Sequence, residues 1–171
     1  MSVLRVVYFP DDPLTQKAHP VETFDRALHT LAEDMLETMH EHKGVGLAAP
    51  QVRLDKRLFV LQEPEGPEMV FVNPRIVDQD GREEGEEGCL SIPEVYAQVM
   101  RATWVAVKAQ DLDGNDISLE AADFLARIIQ HETDHLDGVL FPERLDIFTR
   151  QEKLLEWEAV RERMLAEQQE I

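Results

Sequence analysis

The chain has 171 residues, 43% of them hydrophobic, and a net charge of -18 from 35 acidic against 17 basic residues. That length and apolar content suit one domain over residues 1–171. The acidity argues against direct nucleic-acid binding and against an anionic membrane partner, and no run approaches the roughly 20 apolar residues needed to span a bilayer.

The N-terminal segment MSVLRVVYFPDDP lacks an apolar core followed by a small-residue cleavage site, so the protein is expected to stay where it is made. From about Val21 to Glu41, Phe24, Leu28, Leu31, Met35 and Met39 recur at spacings of three and four, which predicts an amphipathic helix ended by Lys43 and Gly44. Segments rich in β-branched and aromatic residues follow at 57–62, 69–74 and 102–111, separated by turn clusters, and read as antiparallel strands. Asp113-Gly114 marks a hairpin into a short strand at Ile117 to Leu119.

From Glu120 to about Leu136 the residues Phe124, Leu125, Ala126, Ile128 and Ile129 put apolar surface around much of the cylinder, which predicts a helix buried at the centre of the domain. The last segment opens on Thr149 and Glu152, spaced as a capping box, and Leu154, Leu155, Trp157, Val160 and Leu165 form a docking stripe. Helices set apart from a block of short strands predict an α+β fold with antiparallel sheet around a central helix.

His131 and His135 are four apart, so on a helix both rings share one face and can reach one metal ion, with Glu132 beside it. The competing reading is a pair of ordinary imidazoles near a helix end. Two histidines need a third ligand. A metzincin would place histidine where Phe141 stands, which excludes that class. Glu152 or Glu156 could complete a two-histidine, one-glutamate site, as in a zinc endopeptidase, although both also suit a solvated helix face. Cys89, between Gly88 and Leu90, could supply a thiolate; Glu84, Glu86 and Glu87 before it oppose a free thiolate unless a cation is near. A single cysteine allows no intramolecular disulfide and fits a reducing, cytoplasmic setting, where by itself it would be read as an inert buried thiol. A closed structural ion, with Glu87 or Asp134 as fourth ligand, is a further possibility.

Three segments bear jointly on the choice: GVGLAAPQ (44–51), EGCLS (87–91) and QHETDHLDG (130–138). In order and separation they resemble the signature motifs of the peptide deformylases, and the likeness extends through FPDDPL, VFVNPRIV, SIPEVYAQVMRA and LFPERL. The resemblance implies an α+β fold in which antiparallel sheets wrap the His-Glu-x-x-His helix. It implies metal-dependent removal of the formyl group from N-formyl-methionyl nascent polypeptides. Cys89, His131 and His135 become the ligands by this resemblance, leaving one position for water, and Glu132 becomes the proton shuttle. Gln51 and the Leu90 N–H become donors to the developing oxyanion, Gly46 pairs with the substrate backbone, and Val45, Phe124 and Ile128 line a methionine pocket.

Without the resemblance Gln51 is a polar loop residue, and Phe124 and Ile128 are plain core. Family likeness favours Fe(II), while the donor set also accommodates zinc, nickel or cobalt. Thr133, Asp123 and Tyr96 depart from the common pattern; Tyr96 replaces an arginine present in some members, which turns attention to Arg101 as a grip on substrate. Residues 150–171 hold Arg150, Lys153, Arg161 and Arg163 against six glutamates, so charge-driven docking on the ribosome is not expected.

Overall fold

The computed structural model describes residues 2–169. Helix α1 (Arg26–Glu41) starts later than its periodicity suggests because Asp25 caps it, its carboxylate accepting from the Leu28 N–H at 3.0 Å. At the other end Lys43 takes a left-handed φ of 56°, and the Gly44 N–H donates to the Met39 carbonyl, which stops the helix.

Seven strands follow: β1 (Gly46–Ala48), β2 (Leu58–Gln62), β3 (Glu68–Asp80), β4 (Glu83–Cys89), β5 (Ile92–Arg101), β6 (Trp104–Gln110) and β7 (Asp116–Ala122). They form a five-stranded sheet in the order β1-β2-β3-β6-β7 and a separate β4-β5 hairpin, with every pairing antiparallel. The architecture is therefore α+β with antiparallel sheets, as expected. Three strands escaped the pattern reading: β4 (EEGEEGC) is too acidic to announce itself, β1 lies in a segment that reads as a glycine turn, and β5 (IPEVYAQVMR) ends just before the strand expected at 102–111.

The run LFVL of β2 is buried throughout because both faces of the large sheet are covered. Phe59 and Leu61 face α2 (Asp123–Leu136), joining Ala126, Ile128, Ile129 and Leu136, whereas Leu58 and Val60 face α1, joining Met35 and Met39. The period-two alternation of β2 thus sends one set of side chains to each helix. A third cluster packs the inward face of β5 (Val95, Ala97, Val99) against Phe141 and Trp157.

Helix α2 begins at Asp123 and not at Glu120, because residues 120–122 complete β7. Phe124 is 45% exposed, so the apolar surface of this helix is less continuous than its composition implies. The C-terminal helix α3 (Ile147–Gln169), by contrast, starts earlier than expected. Asp146 caps it, accepting from the Phe148 and Thr149 N–H groups and from the Thr149 hydroxyl, so Thr149 and Glu152 do not act as the capping box. Of its expected stripe, Trp157 is buried and donates to the Phe9 carbonyl at 2.9 Å, but Leu155 and Leu165 face outward. Among the described residues no helix is long and apolar enough to cross a membrane. Met1, Glu170 and Ile171, which belong to the expected 1–171 domain, lie outside the described residues.

Candidate metal centre and its cleft

The last two turns of α2 carry His131 and His135, with ring centroids 5.0 Å apart, and β4 ends on Cys89. The β4-β5 hairpin closes through a two-residue turn, Leu90-Ser91, in which Cys89 pairs with Ile92. That turn brings Sγ of Cys89 to 3.3 Å from Nε2 of His135, and ligating atoms of Cys89, His131 and His135 all lie within 4.8 Å of one another. No other such group of histidine, cysteine and carboxylate side chains occurs among the described residues. Glu152 and Glu156, the alternative third ligands, sit on α3 outside it.

The donor chemistry fits a divalent ion. Nδ1 of His131 is held by the Glu87 carboxylate at 2.8 Å, which leaves Nε2 for the cluster. Burial, followed by the neighbouring His131 and Arg101, pushes His135 well below its ordinary pKa, so its imidazole stays neutral and keeps a lone pair. Burial opposes a charge on His131, but Glu132, Cys89 and Glu87 outweigh it and raise that group well above its ordinary value. A cation at Nε2 would compete with that proton.

Glu87 and Asp134 are fully engaged elsewhere, which removes them as fourth ligands. Glu87 accepts from Arg101 Nε at 2.9 Å and Nη2 at 3.0 Å, from Arg127 at 2.7 Å and from His131. Burial alone would raise its pKa, yet His131 and Arg101 hold it well below the usual carboxylate range. Asp134 accepts from Arg101 at 2.6 Å and from both Nη2 and Nε of Arg144. Arg101 is 5% exposed and spans the two carboxylates, so it does not grip substrate as its position after Tyr96 suggested. Its role is to neutralise two buried acids and tie the hairpin to α2. Arg101→Leu should therefore cost about 3–5 kcal/mol, read as a lowered urea midpoint, since it leaves buried carboxylates under-compensated.

A cavity of about 560 Å³ opens beside the cluster. Gln51, Glu132, Leu90, Val45, Gly46, Phe124 and Ile128 all line it, together with Cys89 and His131 of the cluster, whereas Glu152, Glu156 and Arg101 do not. Gln51 lies in a single 3-10 turn after β1; its Oε1 accepts from the Ala48 N–H and its Nε2 donates to the Ser91 hydroxyl at 3.2 Å and toward Cys89 Sγ at 3.6 Å. Glu132 is 4% exposed, and its Oε1 has no hydrogen-bond partner among the described residues. Burial pushes its carboxyl up to about 7, with His131 pulling the other way. Gly46 is required here, because a Cβ would stand 2.5 Å from Oε2 of Glu132.

The polypeptide deformylase family model matches residues 3–151. The chain belongs to the polypeptide deformylase family. It is 50% identical over 153 residues to a peptide deformylase of Chromobacterium violaceum, covering 88% of this chain and 92% of that one. A peptide deformylase of Acidobacterium capsulatum is 44% identical over 154 residues, covering 88% and 91%. Among solved structures, that of peptide deformylase from Thermus thermophilus superposes with a TM-score of 0.88 at 47% identity, covering 98% of this chain and 99% of that one. The peptide deformylase of Legionella pneumophila gives 0.90 at 41%, covering 96% and 98%. The activity of the family, and of this chain, is metal-dependent hydrolysis of the formyl group from the N-terminal formyl-methionine of newly made proteins.

Sequence reasoning missed Ser91 as the partner of Gln51, and it left open the duties of Glu87, Asp134 and Arg101, which pair with one another. Only proximity in the folded chain distinguishes a carboxylate that binds an ion from one that binds arginine.

Proposed function

We propose that Cys89, His131 and His135 hold one divalent ion and that the cleft beside them hydrolyses N-formyl-methionyl peptides. The observation that carries this reading is the convergence of one thiol and two imidazole nitrogens within 4.8 Å, beside a buried glutamate with an unpartnered oxygen. When bound, the ion would supply Lewis-acid activation of water and of the formyl carbonyl.

The remaining work falls to the chain. Glu132 accepts a proton from the attacking water and delivers it to the amine as the amide C–N bond breaks. The side-chain amide of Gln51, oriented by Ala48 and Ser91, and the Leu90 N–H in the hairpin turn donate hydrogen bonds to the oxygen that becomes anionic. Gly46 lies on β1, at the edge of the large sheet, and offers backbone pairing to an extended peptide. Val45, Phe124 and Ile128 receive the methionine side chain. In this reading residues 1–171 act as one metallohydrolase domain in which the sheets wrap the His-Glu-x-x-His helix.

Family likeness supports Fe(II) as the ion, and two nitrogens with one sulfur would also take zinc, nickel or cobalt. The net charge of -18 supports two exclusions: direct nucleic-acid binding, and charge-driven docking of α3 on the ribosome. A lone thiol and a substrate found on nascent chains support a cytoplasmic setting. The test is formate release from N-formyl-methionyl peptides by anaerobically purified protein. Turnover that disappears with a chelator and returns with Fe(II) is expected; turnover insensitive to chelation would overturn the assignment.

A further inference from the structure

We infer that a second cavity, walled by residues 17–20, Arg57 and residues 73–75, binds a phosphoryl dianion between Lys17, Arg57 and Arg75, either as free phosphate or as the phosphate of a small monoester. It shares no lining residue with the catalytic cleft.

Cations are scarce in this chain, 17 lysines and arginines against 35 acids, yet three of them and His19 meet in this cavity of about 590 Å³, whose lining contains no carboxylate. The catalytic cleft and three other surface cavities are each lined by three or four carboxylates. The local excess therefore runs opposite to the net charge of -18. Exposed carboxylates elsewhere are screened beyond about 10 Å in about 0.1 M salt, so the lining sets the field that an entering anion meets.

The walls are fixed before any ligand arrives. The Ala18 N–H donates to the Leu136 carbonyl at 2.8 Å and the Arg57 N–H to the His19 carbonyl at 2.9 Å. Asn73 brackets Val21, accepting from its N–H at 2.8 Å and donating to its carbonyl at 2.9 Å. Arg57 donates from Nη1 to the carbonyls of Ala18 and Leu136 and from Nη2 to Asp137, so its Nε–H and one Nη2–H make no hydrogen bond among the described residues. Asp137 balances Arg57 and Asp55 holds the His19 ring, which leaves the surplus charge on Lys17 and Arg75. Both are exposed, and neither forms a salt bridge among the described residues.

A missing counter-ion also shows in the sheet. Arg75 on β3 stands directly opposite Lys108 on β6, and Lys108 directly opposite Ser118 on β7. Like charges so placed repel across about 5 Å and destabilise the pairing. Lys108 has no salt bridge among the described residues either, since Asp116 and Glu120 on β7 are diagonal to it. A doubly charged oxyanion seated at Arg75 relieves that repulsion and accepts from guanidinium and ammonium donors at once.

The test is calorimetric titration of the metal-loaded protein with inorganic phosphate and, separately, with adenosine monophosphate. Wild type should bind at least one of them at a single site with a Kd below about 1 mM, and binding should weaken in about 0.5 M salt. Tighter binding of inorganic phosphate supports the free anion as ligand, and tighter binding of the nucleotide supports a monoester. Lys17→Glu and Arg75→Glu should each weaken binding about tenfold or more, whereas Arg75→Lys should keep most of it. Both charge reversals should leave formate release at the wild-type rate, because neither residue lines the catalytic cleft. A Kd above about 1 mM for both probes, or binding that the charge reversals leave intact, as for an anion held at the metal, overturns the inference. So does a loss of binding that comes with a loss of formate release, since the substitutions would then act through the fold.

Discussion

Replacing Glu132 by alanine should lower kcat/KM on formyl-methionyl peptides by about 10²–10⁴-fold while leaving the bound metal in place. Among the described residues this carboxylate has no arginine partner: Glu87 in the same cleft and Asp134 nearby are tied to Arg101, whereas Oε1 of Glu132 has no hydrogen-bond partner. It also lies beside the ligand cluster without belonging to it, with Oε2 4.0 Å from Nε2 of His131. Removing it therefore takes away a proton carrier and not a ligand. Metal analysis and steady-state kinetics on the same preparation separate the two effects. If the site instead held an ion for structural support alone, the variant would keep its activity, and that outcome would falsify the proposed shuttle.

Replacing Cys89 by alanine should strip the metal, from about one ion per chain to near none, and abolish turnover with it. Two imidazoles on one helix make a weak site by themselves, and the surroundings offer no substitute. Glu87 is occupied by Arg101, Arg127 and His131, and Asp134 by Arg101 and Arg144. Elemental analysis of anaerobically purified wild type and variant reads the loss directly. Retention of a full complement of metal would mean that the third ligand is another residue.

The two experiments bear on different parts of the sequence. HETDH fixes the mutual position of His131, Glu132 and His135 through helical geometry alone, because a spacing of four returns a side chain to the same face. Local rules of this kind also gave α1, the Asp113-Gly114 hairpin and the strands with clear β-branched character. They failed at β4, where Glu83, Glu84, Glu86 and Glu87 hide a strand whose partner is β5, and at the start of α3, where Asp146 outcompetes Thr149 as cap. Local sequence made Cys89 one candidate third ligand among several and family likeness chose it, whereas Gln51 and Leu90 were singled out by likeness alone.

By itself, then, the order of residues determined the helix that presents two imidazoles and a carboxylate, since that depends only on interactions within a turn or so of chain. Tertiary structure alone decided that the Cys89 thiol, 46 residues from His135, meets them. It also decided that Arg101 is spent on Glu87 and Asp134 instead of on substrate. The physical reason is that partnership between distant charged or ligating groups is settled by sheet register and hairpin closure, which no local pattern encodes.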